Sequence, residues 1–198
     1  MKVLVADDHP LVRRGLRDLL LDHFPMAEIV EAGDAREALA AIREGSWQLA
    51  LVDINLPGRG GLDLLREIKH LRNEIPLLVV SAHTEEEFAL RTLKLGAAGY
   101  VSKQSAADVL VGAVKKVMSG GRYVSAAVAE KLAMTAAEGW PLDPHENLSL
   151  RELQVLQRIA AGDSIKQIAG ELALSEKTIA TYRSRISAKL GLGTNVEL

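Results

Sequence analysis

Three acidic residues stand at the ends of short apolar runs. Asp7 and Asp8 follow Val3–Ala6, and Asp53 follows Leu49–Val52. Two residues suited to phosphate stand in the same relation to later runs: Ser81 closes Leu77–Ser81, and Lys103 follows Gly99–Val101. Carboxylates brought together repel and raise one another's pKa. A hard cation such as Mg²⁺, held by one or two carboxylates together with phosphate oxygens, relieves that conflict. A hydroxyl and an ammonium beside it can engage a phosphoryl group. An aspartate nucleophile with cations set against developing charge is what an aspartyl-phosphate site needs. Any one of these residues alone is an ordinary solvated loop residue. All five falling at the ends of apolar runs points to a single site.

Such a site requires elements that bring those ends together. The runs Val3–Ala6, Ala27–Glu31, Leu49–Val52, Leu77–Ser81 and Gly99–Val101 predict five strands. Each but the last shows little polar alternation, as in strands buried on both faces. Helical periods lie between them, with Leu11, Leu16, Leu19 and Leu20 on one face and Leu62, Leu65, Ile68 and Leu71 on another. Pro10 suits a first helical turn, and Asp34 with Glu37 forms an N-terminal signal before Leu39 and Ile42. Repeated strand–helix units predict an α/β fold, a flavodoxin-like doubly wound parallel five-stranded sheet. Ligands of such sheets sit beyond the carboxyl ends of the strands where strand order reverses, here between the first and third. Asp7, Asp8 and Asp53 converge there.

The 198 residues fit one large or two small domains, and 48% apolar with 25% charged residues is ordinary for a globular chain. No cysteine is present, which excludes disulfides and thiolate metal sites. No apolar run long enough to span a membrane and no signal-peptide pattern occurs, so a soluble cytoplasmic protein is expected. Residues 1–121 carry 15 Lys+Arg against 17 Asp+Glu, residues 122–147 carry 2 against 4, and residues 148–198 carry 7 against 5. A helix over Ser125–Ala137 precedes a breaker-rich stretch ending at Asn147. Residues 1–121 thus form one domain, 122–147 a linker containing a helix, and 148–198 a second domain. The last is all-α, with helices over Ser149–Ala161, Ser164–Leu172 and Ser175–Leu190, each opened by a serine N-cap. Three helices with so short a second turn suggest a helix-turn-helix.

On the third of these helices Ile179, Ile186 and Leu190 mark the core stripe. Lys177, Thr181, Ser184 and Ala188 lie opposite, with Ala180 and Arg185 at the sides, small residues and donors suited to base edges in a major groove. Thr178, Tyr182 and Lys189 flank one side and Arg183 the other, where phosphates would lie. Because the C-terminal piece is only mildly basic, a polyanion must be met by a local surface and more than one copy. His9, His23, His70 and His145 lack metal-ligand spacing and read as surface or capping residues. Trp47 and Trp140 read as packing anchors.

The ordered set Asp7-Asp8, Asp53-Ile-Asn-Leu-Pro57 with Gly60-Gly61, Ser81-Ala82 and Tyr100-Val-Ser-Lys103 resembles the receiver domain of two-component response regulators. Leu148-Ser-Leu-Arg-Glu152, Ile168-Ala169 and Leu174-Ser-Glu-Lys-Thr-Ile179 resemble the LuxR-type helix-turn-helix, and together they resemble the NarL/FixJ subfamily. The resemblance implies a transcription regulator in which Asp53 accepts phosphate from a sensor histidine kinase. It implies that Asp8 and Asp53 ligate Mg²⁺ directly, Asp7 through water and Asn55 through its main-chain carbonyl. Ser81 and Lys103 would engage the phosphoryl group, Tyr100 would turn inward as Ser81 moves, and Asn55 and His83 occupy positions that modulate dephosphorylation. It further implies double-stranded DNA, a homodimer when active, and RNA polymerase as partners, with at most self-phosphorylation and slow autodephosphorylation as catalysis. Family members often carry Lys at the position of Ala180, so one DNA contact is missing here.

Two rivals use the same residues. An aspartate-nucleophile phosphohydrolase typically has a second carboxylate two residues after the nucleophile, where this chain has Asn55. A receiver-containing interaction protein that no longer signals would not need a complete acidic site. Finally, Thr194-Asn-Val-Glu197 has the form of a capping box, which predicts a fourth helix running on past Leu198; the resemblance implies that this helix pairs two DNA-binding modules.

Overall fold

The computed structural model describes residues 1–56, 61–82, 85–138, 148–172 and 174–192. Pro57, Gly60, His83, Trp140, His145 and the Thr194–Glu197 capping box lie outside the described residues. The chain divides into two compact units, Met1–Trp140 and Pro141–Leu198.

The first unit runs β1 (Lys2–Ala6), α1 (Pro10–His23), β2 (Glu28–Ala32), α2 (Ala35–Glu44), β3 (Leu49–Val52), α3 (Gly61–Leu71), β4 (Leu77–Ser81), α4 (Glu85–Lys94), β5 (Gly99–Ser102), α5 (Ala107–Met118) and α6 (Ala126–Glu138). All pairings are parallel in the order β2-β1-β3-β4-β5, the expected doubly wound sheet. The period of two divides the strands between its faces. Val3, Val5, Leu49, Leu51, Leu78, Val80 and Val101 form one core with Leu20 of α1 and Leu110, Val114 and Val117 of α5. The alternate residues Leu4, Ala50, Val52 and Val79 are equally buried, and α2 and α3 contribute Leu39, Ile42, Leu62, Leu65 and Ile68 to the buried set.

Two expectations are corrected here. Leu11 is 86% exposed, because at 100° per residue it sits well round the helix from Leu16, Leu19 and Leu20. β2 is not buried on both faces: as an edge strand paired with β1 alone, it leaves Glu28 and Glu31 exposed. At the opposite edge, Tyr123 adds one parallel rung beside Gly99. Its N–H donates to Ala98 O at 2.9 Å, and its carbonyl accepts from the Tyr100 N–H at 3.3 Å. α6 then packs against α4 with Val128 buried, so this stretch belongs to the first compact unit.

The second unit contains α7 (Leu150–Ala160), α8 (Ile165–Glu171) and α9 (Glu176–Leu190). Ser149, Ser164 and Ser175 are the N-caps, each accepting a hydrogen bond from the third backbone N–H of its helix. Glu152 and Gln167 complete capping boxes by accepting from the N–H of Ser149 and Ser164. Leu148, Val155, Ile168, Ala169, Ile179 and Ile186 form the core of this unit.

Candidate phosphoacceptor site and nucleic-acid interface

The hydrogen-bond ladder of the central strands carries on into the loops above them. Asp53 N–H donates to Ala6 O at 2.8 Å and Asp7 N–H to Ala32 O at 3.1 Å, which fixes both acids at the strand-order switch. Asp7 and Asp53 are 1% and 2% exposed, while Asp8 is more open. Lys103 bridges the two buried acids, its Nζ lying 2.6 Å from Asp53 Oδ2 and 2.5 Å from Asp7 Oδ2. The Asn55 N–H donates to Asp53 Oδ1 at 3.0 Å. The Lys103 N–H reaches Ser81 O at 2.7 Å, tying the ends of β4 and β5. Ser81 is fully buried at the end of β4, and Tyr100 is buried in β5, three residues before Lys103.

Burial pushes the Asp53 carboxyl above its ordinary value. The Lys103 ammonium and the Asn55 N–H oppose that rise, and Asp7 adds to it. Lys103 stays protonated despite its own burial, because Asp53 and Asp7 both favour the charged form.

Asp7, Asp8, His9 and Asp53 each present a ligand atom within 4.8 Å of the others. Asp7 Oδ2 and Asp8 Oδ1 are buried without an aligned hydrogen-bond donor, although ion-pair contacts reach both. Hard carboxylate oxygens short of donors fit a divalent cation. Two residues were not assigned to this cluster by the sequence: His9, read only as a surface or capping residue, and Arg13. His9 caps α1 and is largely exposed, as a capping residue should be, yet its Nδ1 lies 2.7 Å from Asp8 Oδ1. Arg13 Nη1 donates to Asp7 O at 2.6 Å. His9 adjoins Asp8 in sequence, and Arg13 lies one helical turn further along, so a signal existed for both.

In the second unit Ile179 and Ile186 of α9 are buried and Leu190 packs beside them, as the helical wheel requires. Lys177, Ala180, Thr181, Ser184, Arg185 and Ala188 form the exposed face. The flanking residues are placed differently. Tyr182 packs against the core, and the Thr178 hydroxyl lies 2.8 Å from Ser175 Oγ. Lys189 Nζ donates to Glu152 Oε2 at 2.7 Å, so its charge already serves a buried carboxylate of α7.

Residues 3–115 match the response regulator receiver domain, and residues 146–198 match the luxR family of bacterial regulatory proteins. The chain is 35% identical over 199 residues to response regulator UvrY of Escherichia coli (strain K12), covering 100% of this chain and 91% of that protein. The chain belongs to the NarL/FixJ family of response regulators. This response regulator is also 36% identical over 199 residues to GacA of Pseudomonas aeruginosa, covering 100% of this chain and 93% of GacA. Among solved structures it resembles RcsB of Salmonella enterica serovar Typhimurium bound to promoter rprA with the phosphomimetic BeF3-. That likeness has a TM-score of 0.60 and 26% identity, and covers 99% of this chain and 95% of RcsB. A further structure, of two RcsB dimers on two parallel DNAs, has a TM-score of 0.63 at 26% identity and covers 99% of this chain and 94% of that one. The family is one of transcription regulators and not of metabolic enzymes. Among the described residues, no helix is long and apolar enough to cross a membrane.

Proposed function

We propose that this response regulator is switched by phosphorylation of Asp53 and that the switch controls its binding to DNA. Its family and its likeness to DNA-bound RcsB support a phosphorylation-controlled, DNA-binding transcription regulator. The observation that carries the assignment of Asp53 is its burial at the strand-order switch, beside Asp7 and with Lys103 at 2.6 Å.

In this reading a sensor histidine kinase supplies the phosphoryl group. An Asp53 carboxylate oxygen attacks phosphorus, the P–N bond to the kinase imidazole breaks, and the leaving nitrogen takes a proton. Mg²⁺ would be held by Asp7, Asp8, Asp53 and the Asn55 carbonyl, and when bound it supplies positive charge against the phosphoryl oxygens. Lys103 releases Asp53 Oδ2 and turns its ammonium to the transferred group. The Asn55 N–H keeps the second carboxylate oxygen oriented. Ser81 donates to a phosphoryl oxygen, and Tyr100 follows its movement, shifting an equilibrium between two existing states.

Residues 1–121 act as the receiver, 122–147 as the linker and 148–198 as the DNA-binding domain. α9 enters the major groove with Lys177, Thr181, Ser184 and Arg185 toward bases, while Thr178, Tyr182 and Lys189 on its flank are held by Ser175, the core and Glu152. The active form is a homodimer in the cytoplasm that works with RNA polymerase. The test is intact-protein mass spectrometry after incubation with a small acyl phosphate. Wild type gains one phosphoryl group only with Mg²⁺, and Asp53→Asn gains none. Labelling of that variant would sink the assignment.

A further inference from the structure

We propose that Gly61 is a positioning residue for phosphoryl uptake: its lack of a side chain lets α3 dock on the main chain of Asp53 and Ile54 and so fixes the accepting carboxylate. The inference rests on Asp53 as the acceptor. Gly61 opens α3 and is buried. A Cβ on it would lie 2.2 Å from Ile54 Cα, 2.6 Å from the Ile54 carbonyl carbon and 2.7 Å from Asp53 O. All three are main-chain atoms, so no side-chain rotation relieves the clash. The Gly61 N–H also donates to Ile54 O at 3.0 Å, which pins the close approach from the other side.

Any side chain here must therefore push something away, and the surroundings decide what yields. β3 is paired on both edges, with β1 and with β4. α3 is anchored by Leu62, Leu64, Leu65 and Ile68, each 2% exposed or less. Asp53 and Ile54 lie beyond the paired residues of β3, and among the described residues the Asp53 N–H bond to Ala6 O is the last backbone rung of that strand, so they are held by fewer sheet bonds than Leu49–Val52. Displacement there moves Asp53 Oδ2 away from Lys103 and disturbs the 3.0 Å Asn55 N–H bond to Oδ1. Misplacing a reacting group by about 1 Å can cost on the order of a hundredfold in rate. Gly15 and Gly112 are the contrast: a Cβ on either meets nothing within 4 Å.

The experiment compares full-length wild type, Gly61→Ala and Gly112→Ala. It follows phosphoryl incorporation from acetyl phosphate at saturating Mg²⁺ and donor, well below each Tm. Gly61→Ala is expected to slow on the order of a hundredfold, with the Asn55 amide resonance displaced and those of β1 unmoved. Gly112→Ala should label at the wild-type rate, since a Cβ there meets nothing within 4 Å. A folded Gly61→Ala that labels at the wild-type rate overturns the proposal, since a merely structural glycine would lower Tm and leave that rate intact. Failure of Gly61→Ala to fold overturns it too, because the clash would then be absorbed by the core and not by the acceptor's loop. If wild type itself takes up no phosphoryl group, the acceptor reading fails instead. The Asn55 amide then still decides whether Gly61 sets the position of Asp53.

Discussion

The Asp53 charge is buried without full compensation, and this leaves a thermodynamic trace. An acid whose folded pKa is raised contributes stability that is full below its ordinary pKa, near 3.8 for Asp53, and lost as pH rises through the folded value. At neutral pH the Asp53 charge therefore opposes folding. Asp53→Asn keeps an acceptor for the Asn55 N–H and leaves Lys103 paired with Asp7. It should raise the Tm at pH 7 without divalent cations by roughly 2–8 °C, and the gain should shrink as pH falls toward 4. Mg²⁺ should then stabilise wild type more than the variant. Scanning fluorimetry checks all three, and a lower Tm for Asp53→Asn at pH 7 would contradict them.

Glu152 is the opposite case. Burial would raise its pKa, yet hydrogen bonds from Lys189 and from the N–H and hydroxyl of Ser149 outweigh that and hold it below 4.5. Its contribution is present above the ordinary value and lost as pH falls through the lower folded one. Lys189→Ala removes one of the hydrogen bonds to a carboxylate that is 2% exposed and should destabilise the second unit by about 2 kcal/mol. Urea denaturation followed by the amide resonances of Val155 and Ile186 in the core of that unit would show it. Unchanged stability together with weakened DNA binding would return Lys189 to the phosphates.

At the scale of elements, short helices depend on their caps and edge strands on their cover. α8 spans only Ile165–Glu171, so Ser164 and Gln167 satisfy much of its exposed backbone. Ser164→Ala should cost about 1 kcal/mol, read from the same urea transition, with α9 still formed by circular dichroism. At the β5 edge, a Cβ on Gly99 would lie 2.6 Å from Tyr123 O and 2.9 Å from Leu78 Cδ1. Gly99→Ala should detach Tyr123 and speed hydrogen exchange at the amides of Tyr100 and Tyr123, both bonded across that rung. Exchange at Leu51 in the sheet centre serves as the unmoved reference. Equal protection at Tyr123 would show that the rung tolerates a side chain.

For the molecule as a whole, charge decides how DNA is held. The C-terminal 51 residues carry a net charge of +2, that is 7 Lys+Arg against 5 Asp+Glu, too little for a bulk field to bind a duplex. Binding should therefore be cooperative in protein concentration and stronger after phosphoryl uptake. Fluorescence anisotropy with a promoter fragment measures both. Arg185→Ala should weaken binding and relax its sequence preference, since its guanidinium lies on the exposed face of α9. An unchanged affinity and preference would place that face outside the groove.

The sequence by itself determined the sheet, the helix starts and the meeting of Asp7, Asp53 and Lys103. Apolar runs, caps and turn residues are local signals, and strand order converts them into a crevice. Three serines at helix starts were legible for the same reason. Tertiary structure alone decided which exposed-looking groups were already engaged. Lys189 reads as a free cation on a helical wheel, and only the packing of α7 against α9 brings Glu152 within 2.7 Å of it. Leu11 is a different case: its exposure follows from its place on the helical wheel, which the sequence already carried. Gly61 was visible as a motif glycine, but its reason is that a Cβ there would lie 2.2 Å from the Cα of Ile54, seven positions earlier. Side-chain chemistry is written in the chain; the distances that give it effect arise only when separate elements close on one another.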